Sequence, residues 1–434
     1  MRTALFGRRG RIAKAALVVG AAALALSACS GTGSSGSDDG KVTLTFLSHY
    51  GQDPMKSGMT KMIDEWNSSH PDIQVKQQTV NFDDLLTTLN VRQTGGKGAD
   101  IMSSYSLWGG QLAANGVLDK PSAEVAKDIT DNYSTAAAAS VTGGSGQVFG
   151  YPTEFNTYVL YYNKKILADA GYDKPPATWD ELKEIANKTT KKDSSGNYQV
   201  VGISLIQDGD NQTAHPFLSL LDSAGGKFLN DKGDSALNSK AKETMQLEAD
   251  LAKSGATTTS IMPTKTFPSN GVAMAIQAGW WIGSLKSQMK EEYSNVGTAP
   301  VPGPKAGEEG SLAYSFFTGV NSGSKHKKEA WEFLTWLNSN KNKEGVTEMG
   351  DFLATNGLIP PRKADADILG PKLQAEDANL TPIYDAASYA MAESNAANAY
   401  KAKTSLHNAL NEILVNNAPV DQTFKNLNAE IDRK

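Results

Sequence analysis

The chain has 434 residues, of which 39% are hydrophobic and 21% charged, and its formal net charge is −5. This apolar content is ample for a packed core, which excludes dominant disorder, and no internal run of about 20 apolar residues occurs, which excludes a polytopic membrane protein. The single cysteine excludes a disulfide scaffold and any four-cysteine metal site, and the length predicts two or three domains.

The N-terminal residues 1–28 have the pattern of a secretory signal peptide. Five basic residues and no acidic residue accompany the apolar stretch Ala15–Ala28, which is short for a membrane span. Arg8 and Arg9 point to the twin-arginine route, but the residues after them fit that route poorly, so the general secretion route is favoured.

The end of this signal, Leu26-Ser-Ala-Cys29, resembles the bacterial lipobox. The resemblance implies cleavage before Cys29 and attachment of diacylglyceryl to its sulfur, and so a membrane anchor. In the alternative interpretation, Cys29 is an ordinary cysteine behind a Ser-x-Ala cleavage site. Residues 29–40 then comprise the lipidated cysteine and a flexible linker rich in Gly and Ser.

Removal of the signal takes away its five basic residues and changes the formal net charge from −5 to −10. A chain this acidic lacks the broad basic surface that phosphate binding needs. Nucleic acid is therefore excluded as a partner.

The body of the chain begins with alternating strand and helix patterns. The predicted elements are a strand at Val42–Leu47, a helix at Met59–Ser68, a strand at Ile73–Val80, a helix from Asp83 to Thr94 and a strand at Ala99–Met102. This rhythm predicts parallel βαβ units, in which binding sites lie beyond the carboxyl ends of the strands. The candidate residues at those ends are His49, Tyr50, Tyr105 and Trp108, of which Trp108 is predicted to lie in a loop.

Downstream segments resemble the family 1 extracellular solute-binding proteins, the sugar-binding lipoproteins of ABC importers related to maltose-binding protein. The resemblance starts at Gly150-Tyr-Pro, Leu160-Tyr-Tyr-Asn-Lys164 and Pro176–Leu182, where Thr178 and Glu181 have the spacing of a capping box. It continues through Gly98–Ile101, Leu112–Leu118, Ala224–Gly226, Phe267–Trp281, Val296–Pro304, Ser324–Leu337 and Gly357–Lys363. The order and spacing of these segments, rather than any one of them, carry the assignment.

The resemblance implies an α/β, two-lobed periplasmic-binding-protein fold of type II, hinged, with a ligand cleft between the lobes. Residues 41–149 plus 311–356 are expected to form lobe 1, and residues 150–310 plus 357–434 lobe 2. The chain is expected to cross between the lobes near Phe149–Thr153, Glu309–Leu312 and Asn356–Pro361.

Sugar binding requires flat aromatic surfaces for the C–H faces of the ring and polar groups for its hydroxyls. Trp281 lies at the Trp position of the family element, and Trp280 beside it is an additional aromatic residue. By pattern alone, both tryptophans favour the core over the site. Tyr314 stands where the family usually shows a tryptophan, which leaves the identity of the sugar open.

Near the first crossing, Glu154, Phe155 and Asn156 follow Tyr151-Pro152 and are further candidate ligand-binding residues. The alternative for Glu154 and Asn156 is a hydrogen-bonded pair that stabilises the hinge. His49 could equally be a strand-end histidine without a ligand.

The family implies a carbohydrate ligand, partnership with the transmembrane subunits of an ABC permease, and a monomer on the extracellular face of the cell membrane, without cofactor, metal or catalysis. Two alternatives stay open. One keeps the fold and replaces the sugar with another solute; the other is a lipid-anchored glycoside hydrolase, whose two carboxylates would leave little local signature.

Overall fold

The computed structural model describes residues 41–205 and 210–433, so the signal peptide and Cys29 lie outside the described residues. Its strands are β1 (Val42–Ser48), β2 (Ile73–Thr79), β3 (Ile101–Tyr105), β4 (Tyr151–Asn163), β5 (Lys191–Lys192), β6 (Tyr198–Ser204), β7 (Val272–Ala278), β8 (Val296–Ala299), β9 (Val301–Pro302), β10 (Glu309–Gly310), β11 (Leu312–Val320) and β12 (Met391–Ala392).

The helices complete the alternation that the sequence predicts. They are α1 (Met55–Ser69), α2 (Phe82–Thr94), α3 (Ser106–Ala114), α4 (Ala123–Asn132), α5 (Thr135–Ser140), α6 (Lys164–Asp169), α7 (Trp179–Thr189), α8 (Asp210–Ser223), α9 (Ser239–Ser254), α10 (Pro263–Thr266), α11 (Trp281–Met289), α12 (Lys327–Ser339), α13 (Glu348–Thr355), α14 (Lys363–Glu376), α15 (Thr381–Ala386), α16 (Ala399–Leu414) and α17 (Val420–Ile431). In the described part of the chain, no helix combines the length and hydropathy that a membrane crossing requires.

Local chemistry explains where these helices begin. Asp83 and Asp84 occupy the first turn of α2, where the exposed N–H groups favour negative charge. The hydroxyl of Thr178 accepts a hydrogen bond of 3.2 Å from the backbone N–H of Glu181 and caps α7, as predicted. The Glu181 carboxylate reaches back to the N–H of Ala177 at 2.7 Å, one residue before the position expected in a capping box.

Ten strands form one mixed sheet in the order β2-β1-β3-β11-β4-β7-β6-β5, with β12 beside β11 and β8 beside β4, and β9 and β10 form a separate antiparallel pair. Strands β2, β1 and β3 are parallel, as predicted, whereas β11 is antiparallel to both β3 and β4. The carboxyl ends of β1 and β3 therefore lie side by side, with Tyr105 at the end of β3 opposite Phe316 in the middle of β11.

Strand β4 changes its partners along its length. Residues Tyr151–Thr157 pair with β11, whereas Tyr158–Asn163 lie between β7 and β8. The register of the β4–β11 pair shifts between Tyr314 and Phe316, opposite Glu154, which has a φ of 42°. This is the left-handed region that non-glycine residues rarely adopt, so Glu154 marks a strained bulge where the two parts of the sheet meet.

Two hydrophobic clusters fill the interior. The larger covers both faces of the sheet, and the smaller lies beside β4 and includes Phe155, Tyr161, Trp281 and Ile359. Residues Lys41–Lys434 form one compact unit. The change of partners in β4 falls after the predicted crossing near Phe149–Thr153, and the lobe boundaries stay a prediction.

Glu248 is an acid buried on α9 that gives the stability of this unit a pH dependence. Its side chain is 1% exposed, and burial raises its pKa from 4.5 to about 8. Its Oε1 atom has no hydrogen-bond partner among the described residues. The folded state thus keeps a proton that the unfolded state releases near pH 4.5, so stability falls as the pH rises towards 8.

We expect Glu248→Gln to remove this fall, which amounts to about 1.4 kcal/mol per pH unit within that interval. The measurement is urea unfolding between pH 4.5 and 8. Glu243→Gln, an exposed acid on the same helix, is the control and should leave the wild-type slope unchanged. A wild-type slope in the Glu248→Gln variant would contradict the assignment.

Candidate functional site

The carboxyl ends of the parallel strands bring together residues far apart in sequence. His49 follows β1, Tyr105 ends β3, and Phe82 opens α2 just after β2. Phe316 on β11 joins them, because β11 pairs with β3 directly opposite Tyr105. Binding sites are expected at these strand ends, and the fold brings the four residues together there.

Their rings form a continuous aromatic cluster, which we define as His49, Phe82, Tyr105, Trp108, Tyr314 and Phe316. The ring centroids of Phe82 and Trp108 are 5.6 Å apart with an interplanar angle of 12°, and those of His49 and Phe316 are 4.5 Å apart. These spacings are those of stacked and tilted aromatic pairs. Tyr105, Trp108, Tyr314 and Phe316 are 2–9% exposed, whereas His49 and Phe82 are partly exposed and form the accessible part of the cluster.

Trp108 contributes an unused hydrogen-bond donor to this cluster. The indole is 4% exposed, and its Nε1–H is buried with no partner among the described residues. The sequence predicts a loop here, but Trp108 lies in the first turn of α3, because β3 passes directly into that helix. A buried donor without a partner costs free energy that a ligand acceptor would recover.

A polar pair adjoins the cluster at the bulge in β4. The Nε2 atom of His49 lies 3.0 Å from Glu154 Oε1 and 3.2 Å from Oε2, and His49 Nδ1 lies 3.2 Å from the Ser103 hydroxyl. Tyr50, also predicted as a site residue, is 1% exposed, and burial raises the pKa of its hydroxyl well above 10. Tyr50 therefore stays neutral behind His49, with its ring 4.5 Å from the imidazole.

Asn156 joins β4 to the tryptophan that follows β7. Its Oδ1 accepts the backbone N–H of Trp280 at 3.2 Å, and its Nδ2 donates to the carbonyl oxygen of Glu154 at 3.0 Å. Trp280 is partly exposed, and its side chain interacts with the hydroxyl of Tyr314. Trp280 therefore lies at the border of the aromatic cluster.

Trp281 and Phe155 lie elsewhere. Trp281 is 0% exposed, with its ring centroid 4.9 Å from that of Tyr161 and 5.1 Å from that of Phe267. Phe155 is 1% exposed in the same small cluster, beside Ile359. The fold thus separates the two neighbouring tryptophans, with Trp280 facing the aromatic cluster and Trp281 facing the core.

A buried polar network lies against the other side of Tyr105. We define the Glu393 network as Tyr105, Tyr158, His215, Glu393 and Lys403, which are each 2–5% exposed. The Tyr105 hydroxyl donates to Glu393 Oε2, the Lys403 ammonium pairs with Oε1, and His215 Nε2 lies 3.0 Å from Oε1. His215 also contacts the Tyr158 hydroxyl through Nδ1 and the Lys403 ammonium through Nε2.

The charges within this network balance. Lys403 and His215 outweigh the effect of burial and lower the pKa of Glu393 to about 2. Burial and the adjacent Lys403 ammonium lower the pKa of His215 to about 4. At neutral pH, Glu393 is therefore anionic and His215 neutral, and the Lys403 ammonium compensates the carboxylate.

Sequence reasoning did not find Phe82, Phe316, Glu393 or Lys403 as site residues. Phe82 follows β2, so the strand-end rule applied to that strand would have found it. Glu393 and Lys403 carry no such signal, because a charged residue in a polar stretch usually lies on the surface. Among the described residues, no three His, Cys, Asp or Glu side chains converge as metal ligands.

Comparison with known proteins places this geometry in context. Residues 52–344, which are more than half of the chain, match the family model described as bacterial extracellular solute-binding protein. A protein of Brucella abortus named as a binding protein is 27% identical over 355 residues, covering 79% of this chain and 81% of the relative. The arabinooligosaccharide-binding protein of Bacillus subtilis is 23% identical over 355 residues, covering 77% of each chain.

The fold also matches solved structures. The crystal structure of the cyclic alpha-maltosyl-1,6-maltose binding protein from Arthrobacter globiformis superposes with a TM-score of 0.76 at 22% identity, covering 90% of this chain and 98% of that one. This match confirms the predicted α/β, two-lobed periplasmic-binding-protein fold.

Proposed function

Since this chain belongs to the bacterial extracellular solute-binding proteins, we propose that it captures a neutral oligosaccharide between its two lobes for an ABC importer. The observation that supports the sugar most strongly is the aromatic cluster at the strand ends, beside the His49–Glu154 pair and Asn156. Relatives named for arabinooligosaccharide and for a cyclic maltosyl maltose support the same ligand class.

The chemistry of a sugar fits this arrangement. The rings of Phe82 and Trp280, which are partly exposed, offer surfaces for the C–H faces of pyranose or furanose units. The polar edges of the cluster are Trp108 Nε1–H, the His49–Glu154 pair and Asn156, and these can bind ring hydroxyls as donors and acceptors. A mostly apolar site with a few convergent polar groups is the usual form of a small-molecule site.

The charges of the site favour a ligand without net charge. Glu393 is compensated by Lys403, and Glu154 lies against His49. A phosphate or carboxylate ligand would need an additional cation to offset its desolvation. The polar groups of the site therefore suit hydroxyls better than ionic groups.

Capture proceeds by hinged closure in this proposal. Ligand contacts on both sides of the β4–β11 bulge would stabilise the closed state, and the shift in equilibrium equals the difference in affinity between the two states. The captured sugar is delivered unchanged to the permease subunits. Glu393, as the anionic partner of an ammonium, lacks the proton that a glycosidase acid donates.

The lipid anchor is part of the same proposal. The lipobox-like Leu26-Ser-Ala-Cys29 supports attachment at Cys29 on the extracellular face of the membrane, with residues 30–40 as the tether. A monomer suffices for this role, because each chain carries a complete aromatic cluster.

We expect isothermal calorimetry with the protein lacking residues 1–29 to give saturable heat with at least one neutral oligosaccharide. The panel should contain linear glucans, cyclic glucans, arabinans, amino acids, peptides and polyamines. Binding of peptides or polyamines alone would move the protein to another solute class. Release of a shorter sugar during the titration, measured by chromatography, would instead indicate a glycosidase.

A further inference from the structure

The segment between β12 and α16 contacts elements of both predicted lobes. We define the strap as residues 393–398, which the sequence assigns to lobe 2 together with α8 and α16. The N–H of Glu393 donates to the carbonyl oxygen of Ala313 at 2.7 Å, so the strap leaves the sheet beside the start of β11. Because β3, α3 and α5 belong to predicted lobe 1, every bond from the strap to them joins the two predicted lobes.

Asn395 binds the strap to the end of α5. Its Nδ2 atom donates to the carbonyl oxygens of Ala139, Ser140 and Thr142, at distances of 3.1, 2.9 and 3.0 Å. Two of these oxygens belong to the last turn of α5, where a helix leaves carbonyl groups without partners inside the helix. Asn395 is 8% exposed, so water competes little for these hydrogen bonds.

The backbone of the strap also packs tightly against α3. A Cβ added to Gly110 would overlap the carbonyl oxygen of Asn395 and would lie 2.9 Å from the carbonyl carbon of Ala396. Only a glycine on α3 permits such a close approach of two backbones. The strap therefore fits directly against the helix whose first turn carries Trp108.

Glu393 joins the two predicted lobes a second time. Its carboxylate accepts a hydrogen bond from the Tyr105 hydroxyl, on predicted lobe 1, and it pairs with Lys403 and His215, on predicted lobe 2. A hydrogen bond to an ionised acceptor is about twice as strong as one between neutral groups. Separation of the lobes would break this bond and admit water to the buried ion pair.

We propose that the strap keeps the two lobes closed before a sugar binds. This inference rests on the hinged closure of the proposed function. Both partners of each strap bond belong to the chain, so these bonds stabilise the closed state whether or not a sugar is bound. The apparent dissociation constant equals the intrinsic constant divided by the closed fraction, so the strap raises the affinity for sugar by raising that fraction. Asn395 thus acts on affinity as a positioning residue.

The test is small-angle X-ray scattering of the protein lacking residues 1–29, without ligand. Asn395→Ala removes the bonds to α5, and Tyr105→Phe removes the hydroxyl that Glu393 accepts while keeping the ring. We expect both variants to have a larger radius of gyration than the wild-type protein. If Asn395→Ala fails to fold, Tyr105→Phe decides the outcome, because it lacks a single hydroxyl.

Asn398→Ala is the matched control. Its Nδ2 atom donates to the carbonyl oxygen of Gly233 at 2.8 Å, and both residues belong to predicted lobe 2. Loss of this amide from the same strap should leave the wild-type radius of gyration unchanged. An equal expansion in Asn398→Ala, or no expansion in either of the other variants, would overturn the inference.

Calorimetry with maltotetraose and arabinotetraose as probes adds a second readout. For the probe that binds, Asn395→Ala should weaken affinity about tenfold, and Asn398→Ala should stay within about twofold of wild type. Wild-type affinity in an expanded Asn395→Ala variant would overturn the link between the strap and sugar binding. Absence of heat from every sugar would overturn the proposed function, whereas the scattering experiment uses no ligand and decides on the strap independently.

Discussion

Replacing Lys403 with methionine is expected to destabilise the folded protein by about 3–5 kcal/mol. Lys403 and Glu393 are 2% and 5% exposed, and the ammonium is the positive charge that compensates this carboxylate. Without it, Glu393 must either stay charged in a buried site or take up a proton. The measurement is urea unfolding at pH 7, followed by circular dichroism.

Two controls separate the loss of a buried charge from the loss of a side chain. The double variant Lys403→Met/Glu393→Leu removes both charges and should recover most of the lost stability, because no buried charge remains without a partner. Lys127→Met breaks an exposed pair with Asp131 and should change stability little. If Lys403→Met were as stable as Lys127→Met, Glu393 would not depend on the ion pair.

The adjacent tryptophans should respond in opposite ways to truncation. We expect Trp280→Ala to weaken sugar binding by about 1–3 kcal/mol, the range for stacking of a flat ring on an aromatic side chain, with little loss of stability. Trp281→Ala should instead cost about 3–5 kcal/mol of folding stability, because its fully buried ring packs against Tyr161 and Phe267.

Calorimetry and thermal unfolding of both variants test this contrast, and each variant is the control for the other. Unchanged affinity in Trp280→Ala would remove Trp280 from the site. Loss of affinity at unchanged stability in Trp281→Ala would return the stacking role to Trp281, the position that the family resemblance favours.

Much of the fold follows from local patterns. The first three strands and two helices are predicted from alternation and from the acids at the start of α2, and the cap at Thr178 is predicted from residue type and spacing. The strand β11 is harder to foresee, because its antiparallel pairing joins segments about 150–220 residues apart, which no local pattern encodes.

Some residues of the candidate site can likewise be predicted from the sequence, and others cannot. His49 and Tyr105 are found because they follow predicted strands, and a strand end has a defined place in a parallel sheet. Which of two adjacent tryptophans faces the ligand depends on where β7 ends and α11 begins, which sequence alone locates too coarsely. The Glu393 network unites residues from α8, α16 and β4 through tertiary packing alone.

Strand β4 runs unbroken through both parts of the sheet, and its strained bulge at Glu154 has a mechanical consequence. If the lobes turn about that bulge, a side chain travels in proportion to its distance from the pivot. Asn156, two residues from the pivot, would hardly move and could touch the sugar in every state. A residue farther from the bulge would travel further, so its distance from Glu154 decides how strongly its contacts respond when a ligand binds.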